Sequence, residues 1–195
     1  MTSGRRPDTV QRDMKVLRTI PNQITVARIA CVPLFMYLVL SQTKIGTILA
    51  IIMFFLAAIS DAVDGYLARS LNQTSDFGRF ADPIADKLLV VGALISFVQL
   101  GELTAAAVMV IVAREFLVTG LRILAVAEGE MISASLLGKL KTLSHIGLVL
   151  AVLITRSFPL GAAGETAQNA CLYLAIALAL ISGVDYFYRS RRLFI

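Results

Sequence analysis

Four aspartates pose the chemical question. In SDAVDGYLARSLNQTSDFGRFADPIADK, residues 60–87, Asp61, Asp64, Asp82 and Asp86 stand close together in a chain that is 57% apolar. A desolvated carboxylate is costly, and at about 5 Å with an effective dielectric near 20 each neighbouring pair repels by roughly 3 kcal/mol. Such a group needs cations. Oxygen donors without Cys or His companions suit Mg²⁺, Mn²⁺ or Ca²⁺ better than zinc, and Mg²⁺ characteristically shares a few carboxylates with water and substrate phosphate. The spacing therefore points to a divalent-metal site, binuclear, that holds a phosphate ester. Each residue alone has a plainer reading: Asp82 before Pro83 as an N-cap, Asp64-Gly65 as a helix end, Asp76 as a loop residue. Arg69, suited to a phosphate, and Gly65 and Gly78, which let backbone approach a ligand, favour the metal site for the set.

The elements that carry these residues follow from hydropathy. A mean hydropathy of +0.80, with 16% charged residues and no Trp, belongs to an integral membrane protein and not to an ordinary soluble domain of 195 residues. About 20 helical residues cross the roughly 30 Å hydrocarbon core. Six runs approach that length, about 22–41, 46–68, 83–101, 104–127, 138–157 and 167–188. The expected fold is all-α integral membrane, with six transmembrane helices spanning a domain over 22–195. The opening segment, 1–21, is basic, and its apolar positions Val10, Met14, Leu17 and Ile20 recur at helical spacing. It reads as an amphipathic interfacial helix, retained because no small-residue cleavage site follows it; a solvated tail is the competing reading.

Helix two ends with Asp61 and Asp64 three residues apart and thus on one face. Helix three is expected to begin at ADPIADK, with Pro83 as its first helical residue and Asp86 one turn beyond Asp82. The polar SLNQTSDFGRF between them, with Gly78, would turn the chain, so the two antiparallel helices bring both acidic pairs to one membrane depth.

Lys and Arg set the orientation. Arg5, Arg6, Arg12, Lys15 and Arg18 precede the first span; Arg69, Arg79 and Lys87, then Arg122, Lys139 and Lys141, then Arg189, Arg191 and Arg192 fall on the same side, against Lys44 and Arg156 on the other. By the positive-inside rule both termini and the acidic stretch are cytoplasmic. A formal charge of +5 and a pI near 9.5 then speak for attraction to anionic lipid and phosphate-bearing substrates, not nucleic acid. Cys31 and Cys171 fall inside spans and read as small buried hydrophobes.

The pattern Asp61-x2-Asp64-Gly65-x2-Ala68-Arg69-x8-Gly78-x3-Asp82-x3-Asp86 resembles the signature of the CDP-alcohol phosphotransferases. The six-helix plan and the amphipathic start resemble that family over nearly the whole chain. The resemblance implies transfer of a phosphatidyl or similar group from a CDP-linked donor to an acceptor hydroxyl, with release of CMP and two divalent metals, Mg²⁺ or Mn²⁺. It implies that Asp61 and Asp82 bridge both metals, that Asp64 binds one, and that Asp86 binds the other and acts as general base. It further assigns Gly65, Arg69 and Ser75 to the CDP portion, with Gly78 shaping the loop and Asn22 and Thr25 of PNQITVAR completing the nucleotide pocket. A homodimer in a bacterial cell membrane is also implied. Geometry alone leaves open which aspartate is the base; the depth of Asp86 in helix three, far from the helix N-terminus, favours it.

The acceptor is read from basic residues elsewhere. Arg114 lies within the fourth apolar run and must face a polar cavity or the protein interior. One reading pairs it with Glu115 in an intramembrane ion pair; the other joins Arg114, Arg122, Lys139 and Lys141 in a cradle for a phosphate on the acceptor. AREFLVTGLR, 113–122, and GKLKT, 138–142, resemble the family members that join CDP-diacylglycerol to sn-glycerol 3-phosphate; an inositol phosphate acceptor would want a similar cradle. Arg189 could add to it, although Arg191 and Arg192 read as snorkelling anchors. His145 reads as a polar helix-packing residue, and Gly161, Ala162, Ala163 and Gly164 as a connecting loop. A divalent-cation transporter is a remote alternative, opposed by acids gathered at one membrane face and by the lack of a second DxxDG-like segment.

Overall fold

The computed structural model describes residues 20–71, 76–128 and 136–191, the side chains of 20–25, 60–71, 76–83, 85, 86, 126 and 127 excepted. Among the described residues the chain is all-helical. Six helices follow one another: α1 (Ile20–Leu40), α2 (Lys44–Leu71), α3 (Asp76–Gln99), α4 (Ala105–Ala127), α5 (Leu136–Ser157) and α6 (Gly161–Arg189). The basic opening, 1–19, lies outside the described residues.

Local chemistry fixes the turns. Thr43 precedes α2 and its Oγ1 accepts the N–H of Gly46 at 3.0 Å; Thr104 does the same for Ala107 ahead of α4 at 3.4 Å. Both satisfy an N–H that an α-helix leaves without an internal partner. Gly101 at φ +76° and Gly161 at φ +56° supply left-handed backbone where α3 and α5 give way to the next helix. With only 41–43, 100–104 and 158–160 between them, these pairs of helices must run antiparallel, and their turns share one end of the bundle.

The interior is a ring of interlocking apolar side chains. Phe35 and Val39 of α1, Phe54 of α2, Phe97 of α3, Ile111 of α4 and Leu148 and Val152 of α5 are almost fully buried. The rings of Phe35 and Phe54 meet at 6.0 Å between centroids, tilted by 42°. Helix α1 packs on α2 and α3, while α5 packs on α2, α3 and α6, and α4 on α3 and α6. Gly92 sets the closest approach of α3 to α1: a methyl group there would sit 2.9 Å from Val32 Cγ1 and 3.4 Å from Met36 Sδ. Close backbone contact through small residues is how helices gain packing energy where their surroundings are as apolar as their side chains.

The outside is apolar as well. Leu34, Tyr37, Ile45, Phe55, Leu56, Phe116, Leu117, Tyr173, Leu174, Ile181 and Val184 are exposed, the reverse of a water-facing surface. Among the described residues α5 and α6 are each long and apolar enough to cross a bilayer, and Val26–Leu40, Lys44–Ile59 and Lys87–Gln99 are shorter apolar stretches.

Two boundaries correct the sequence reading. Helix α3 begins at Asp76 and not at Pro83, so Gly78 and Pro83 lie inside a helix, and only 72–75 separate it from α2. Polar residues at a helix end do not have to unravel it, and an aspartate at an N-terminus is favoured by the helix dipole. The residues Gly161–Gly164, expected as loop, form the first turn of α6. Gly164 is buried there; a Cβ on it would meet Leu160 Cβ at 2.7 Å and Thr155 Cγ2 at 3.1 Å, so the small run serves close packing.

A candidate active site at the cationic end of the bundle

Opposite the end that holds the 41–43, 100–104 and 158–160 turns, the helices enclose a cavity of about 630 Å³ to which all six contribute. Its inner wall is the core itself, Phe54, Leu94 and Ile111. Toward the open side the lining turns basic, with Arg28 from α1, Lys87 from α3, Arg114 and Arg122 from α4, and Lys139 and Lys141 from α5. Against these six cations stands one carboxylate among the described residues, Glu115.

Glu115 organises the inner cations through a single oxygen. Its Oε1 accepts Lys141 Nζ at 2.5 Å and Arg114 Nη1 at 3.1 Å, and lies 3.9 Å from His145 Nδ1. Glu115, Lys141 and His145 are buried. The arrangement follows from local register: Lys141 and His145 are four apart on one face of α5, and Gly183 of α6 leaves room for Arg114, whose Cγ would touch a Cβ there at 3.3 Å. Neighbouring hydroxyls are already engaged, since Thr119 donates to the Glu115 carbonyl at 2.6 Å, Ser144 to the Lys141 carbonyl at 2.7 Å and Thr142 to the Gly138 carbonyl at 3.1 Å. Arg114 Nε, His145 Nε2 and Tyr186 Oη, by contrast, are buried with no hydrogen-bond partner among the described residues.

The two readings of Arg114 thus meet in one place. It pairs with Glu115, and it also lines the cavity with Arg122, Lys139 and Lys141, all four expected cradle residues. Arg189 stands apart, its Nε donating to Asp185 Oδ1 at 2.9 Å, and Arg191 lies 4.8 Å over the Tyr188 ring. The sequence reading did not single out Arg28, Lys87 or Tyr186 for the site. Arg28 carried the signal that flagged Arg114, a cation inside an apolar run; Tyr186 carried none.

The acidic residues lie on two of the helices that line the cavity. Asp61 and Asp64 lie in the last turns of α2, which also holds the cavity-lining Ala57 and Ala58 one turn earlier. Asp82 and Asp86 lie in α3, where Asp86 immediately precedes the cavity-lining Lys87. Asn22 and Thr25 fall in the opening turns of α1, Gly65 and Arg69 in α2, and Gly78 in α3. The side chains of these residues lie outside the described ones, as does Ser75 altogether. Among the described residues no group of three or more His, Cys, Asp or Glu gathers as a metal site. By residue type and spacing the aspartates would suit such an ion: spacings of three and four put each pair on one face of its helix, and carboxylates match hard divalent ions.

The family model described as CDP-alcohol phosphatidyltransferase matches residues 18–181. A Bacillus subtilis protein named "CDP-diacylglycerol--glycerol-3-phosphate 3-phosphatidyltransferase" is 38% identical over 183 residues, covering 88% of this chain and 94% of its own. A Rickettsia bellii protein of the same name is 33% identical, over 93% of this chain and all of its own. A Mycobacterium tuberculosis protein named "Probable phosphatidylglycerophosphate synthase" is 35% identical, over 90% of this chain and 83% of its own. With the acidic signature on α2 and α3 and a family match across most of its length, the chain belongs to the CDP-alcohol phosphatidyltransferases.

Proposed function

We propose that the chain transfers the phosphatidyl group of CDP-diacylglycerol to the hydroxyl of sn-glycerol 3-phosphate, giving phosphatidylglycerol phosphate and CMP. The observation that carries this reading is the meeting of Arg114, Arg122, Lys139 and Lys141 on one cavity, beside the helix segments that bear the four aspartates. The names of the relatives agree with the donor and acceptor chosen.

Each group has a role in this reading. Asn22, Thr25, Gly65, Arg69, Ser75 and Gly78 receive the CDP portion. Asp61, Asp64, Asp82 and Asp86 hold two divalent ions, Mg²⁺ or Mn²⁺, which when bound supply neutralisation for the donor diphosphate. Arg114, Arg122, Lys139 and Lys141 grip the acceptor phosphate, an anion that guanidinium and ammonium donors bind through charge-assisted hydrogen bonds. Held there, the acceptor presents its terminal hydroxyl toward α3. Asp86 takes the hydroxyl proton as the oxygen attacks the phosphatidyl phosphorus and the bond from that phosphorus to CMP breaks. Fixing both substrates converts an encounter of three bodies into an oriented reaction.

The enzyme so read works at the cytoplasmic face of a bacterial membrane, spans it with six helices behind an amphipathic opening segment, and assembles as a homodimer. The outward apolar faces and the basic residues gathered at the cavity end support that orientation.

The test uses purified protein in detergent with labelled CDP-diacylglycerol, Mg²⁺ or Mn²⁺ and a panel of acceptors. CMP release with sn-glycerol 3-phosphate, and neither with glycerol nor with serine, is the expected result. Release with inositol phosphate alone would keep the chemistry and replace the acceptor; release with none, in either metal, would overturn the reading.

A further inference from the structure

His145 is a cavity group whose chemistry the reaction above leaves unused. It is buried, with 3% of its surface accessible, it lines the cavity, and its Nε2 has no partner among the described residues. A buried polar atom without a hydrogen bond costs free energy that a ligand can return by supplying one. The ring's other nitrogen, Nδ1, is turned to Glu115 Oε1, 3.9 Å away. Thr119, Thr142 and Ser144, the nearby hydroxyls, donate to backbone carbonyls of their own helices. His145 lines the cavity, which puts a bound ligand among the groups that can supply the missing partner.

Position indicates what that partner is. Along α5 the cavity wall runs from exposed Lys139 through buried Lys141 to His145, and the fully buried Leu148 of the core follows beyond it. Four helical residues rise about 6 Å, so His145 sits that far beyond Lys141 toward the interior. A phosphate seated on Lys141 and Arg114 directs its three-carbon ester along this wall. Of the two hydroxyls on glycerol 3-phosphate, one is consumed in the transfer and the C2 hydroxyl is retained. A hydroxyl also suits the site in either protonation state of the ring, because it can donate to a bare nitrogen or accept from an N–H.

We propose that His145 Nε2 hydrogen-bonds the C2 hydroxyl of the acceptor and makes the enzyme specific for a phosphorylated polyol over a phosphorylated simple alcohol. The inference rests on the acceptor site proposed above and names its second contact. Sites that leave a buried polar group unpaired when a substrate hydroxyl is missing reject the deoxy analogue strongly.

The experiment compares kcat/KM for sn-glycerol 3-phosphate and for 3-hydroxypropyl phosphate, which keeps the phosphate and the reacting hydroxyl but lacks the C2 hydroxyl. Wild type should favour the former by about 10- to 100-fold. His145→Leu should bring the ratio within about threefold by losing activity on glycerol 3-phosphate alone, and His145→Gln should restore most of the preference. Activity of each variant on 3-hydroxypropyl phosphate reports that it is folded. If His145→Leu fails to fold, the wild-type ratio and that of His145→Ala decide the matter. A wild-type ratio near one, a ratio unchanged by loss of the imidazole, or an equal fall on both acceptors would overturn the contact. Wild type that turns over neither phosphate would overturn the acceptor site itself, and this contact with it.

Discussion

At one end of the bundle Glu102 faces Arg156 one to one, at 2.5 Å between Oε1 and Nη1; at the other, Glu115 serves both Arg114 and Lys141 in a cavity that four more cations line. The first cluster is balanced in charge and knitted to its surroundings. Gln168 approaches the Glu102 carbonyl at 3.4 Å and accepts from Thr155 at 2.7 Å, tying α5 and α6 to the turn between α3 and α4. Among the described residues the second sets six cations around one carboxylate, and Arg114 Nε, His145 Nε2 and Tyr186 Oη have no hydrogen-bond partner there. Arg156 Nε is also without a partner among the described residues, so idle hydrogen bonds do not separate the two ends; the number of cations gathered on one cavity does, and such a gathering suits an anion. The two ion-pair clusters thus differ in their count of charges among the described residues.

The sharpest way to break this contrast is to remove the group assigned to proton transfer at the reactive end. Asp86→Asn should lower turnover by about 10³-fold while leaving CMP binding within a few fold, measured by steady-state CMP release and by equilibrium binding. Turnover within tenfold of wild type would remove Asp86 as the base. Next in size is Glu115→Gln, which strands the buried Lys141 and the partly buried Arg114. It should cost about 3 kcal/mol of stability, read as a lower melting temperature in detergent, and should raise the acceptor KM more than the donor KM. An equal rise in both would make Glu115 a purely structural residue.

The balanced end sharpens the comparison by its silence. Glu102→Gln leaves Arg156 half-buried without its counter-charge and should cost about 1–2 kcal/mol of stability, with both KM values within twofold of wild type. A specific loss of acceptor affinity there would erase the distinction between the two ends. Smallest of all is Arg189→Ala. Its partner Asp185 is one turn away and the guanidinium is half exposed, so melting should shift by the equivalent of about 0.3–0.5 kcal/mol and activity should be unchanged.

How far these features were legible in the sequence depends on whether they are local. Apolar run length is local, and each of the six runs became a helix. Helix ends were less legible: α3 extends back to Asp76 and α6 to Gly161, because a helix can continue through polar or small residues once neighbours pack against it, as Leu160 and Thr155 do around Gly164. The four expected cradle residues could be named because a cation in or beside an apolar run has few places to go. Tyr186 and the sharing of one Glu115 oxygen by two cations depend on how α4, α5 and α6 meet, which no spacing within one helix encodes. The aspartates were named from type and spacing alone, and their side chains lie outside the described residues.

The central claim is that the cationic cavity receives the phosphate of the acceptor. Its most direct test is the pair of Michaelis constants for Lys141→Met, a change that keeps the length and apolar stem of the side chain while deleting its charge. The account predicts a rise of about 30-fold or more in KM for sn-glycerol 3-phosphate, as expected for loss of a charge-assisted hydrogen bond, with KM for CDP-diacylglycerol within twofold. An unchanged acceptor KM in an active, folded variant, or a rise confined to the donor, would contradict it.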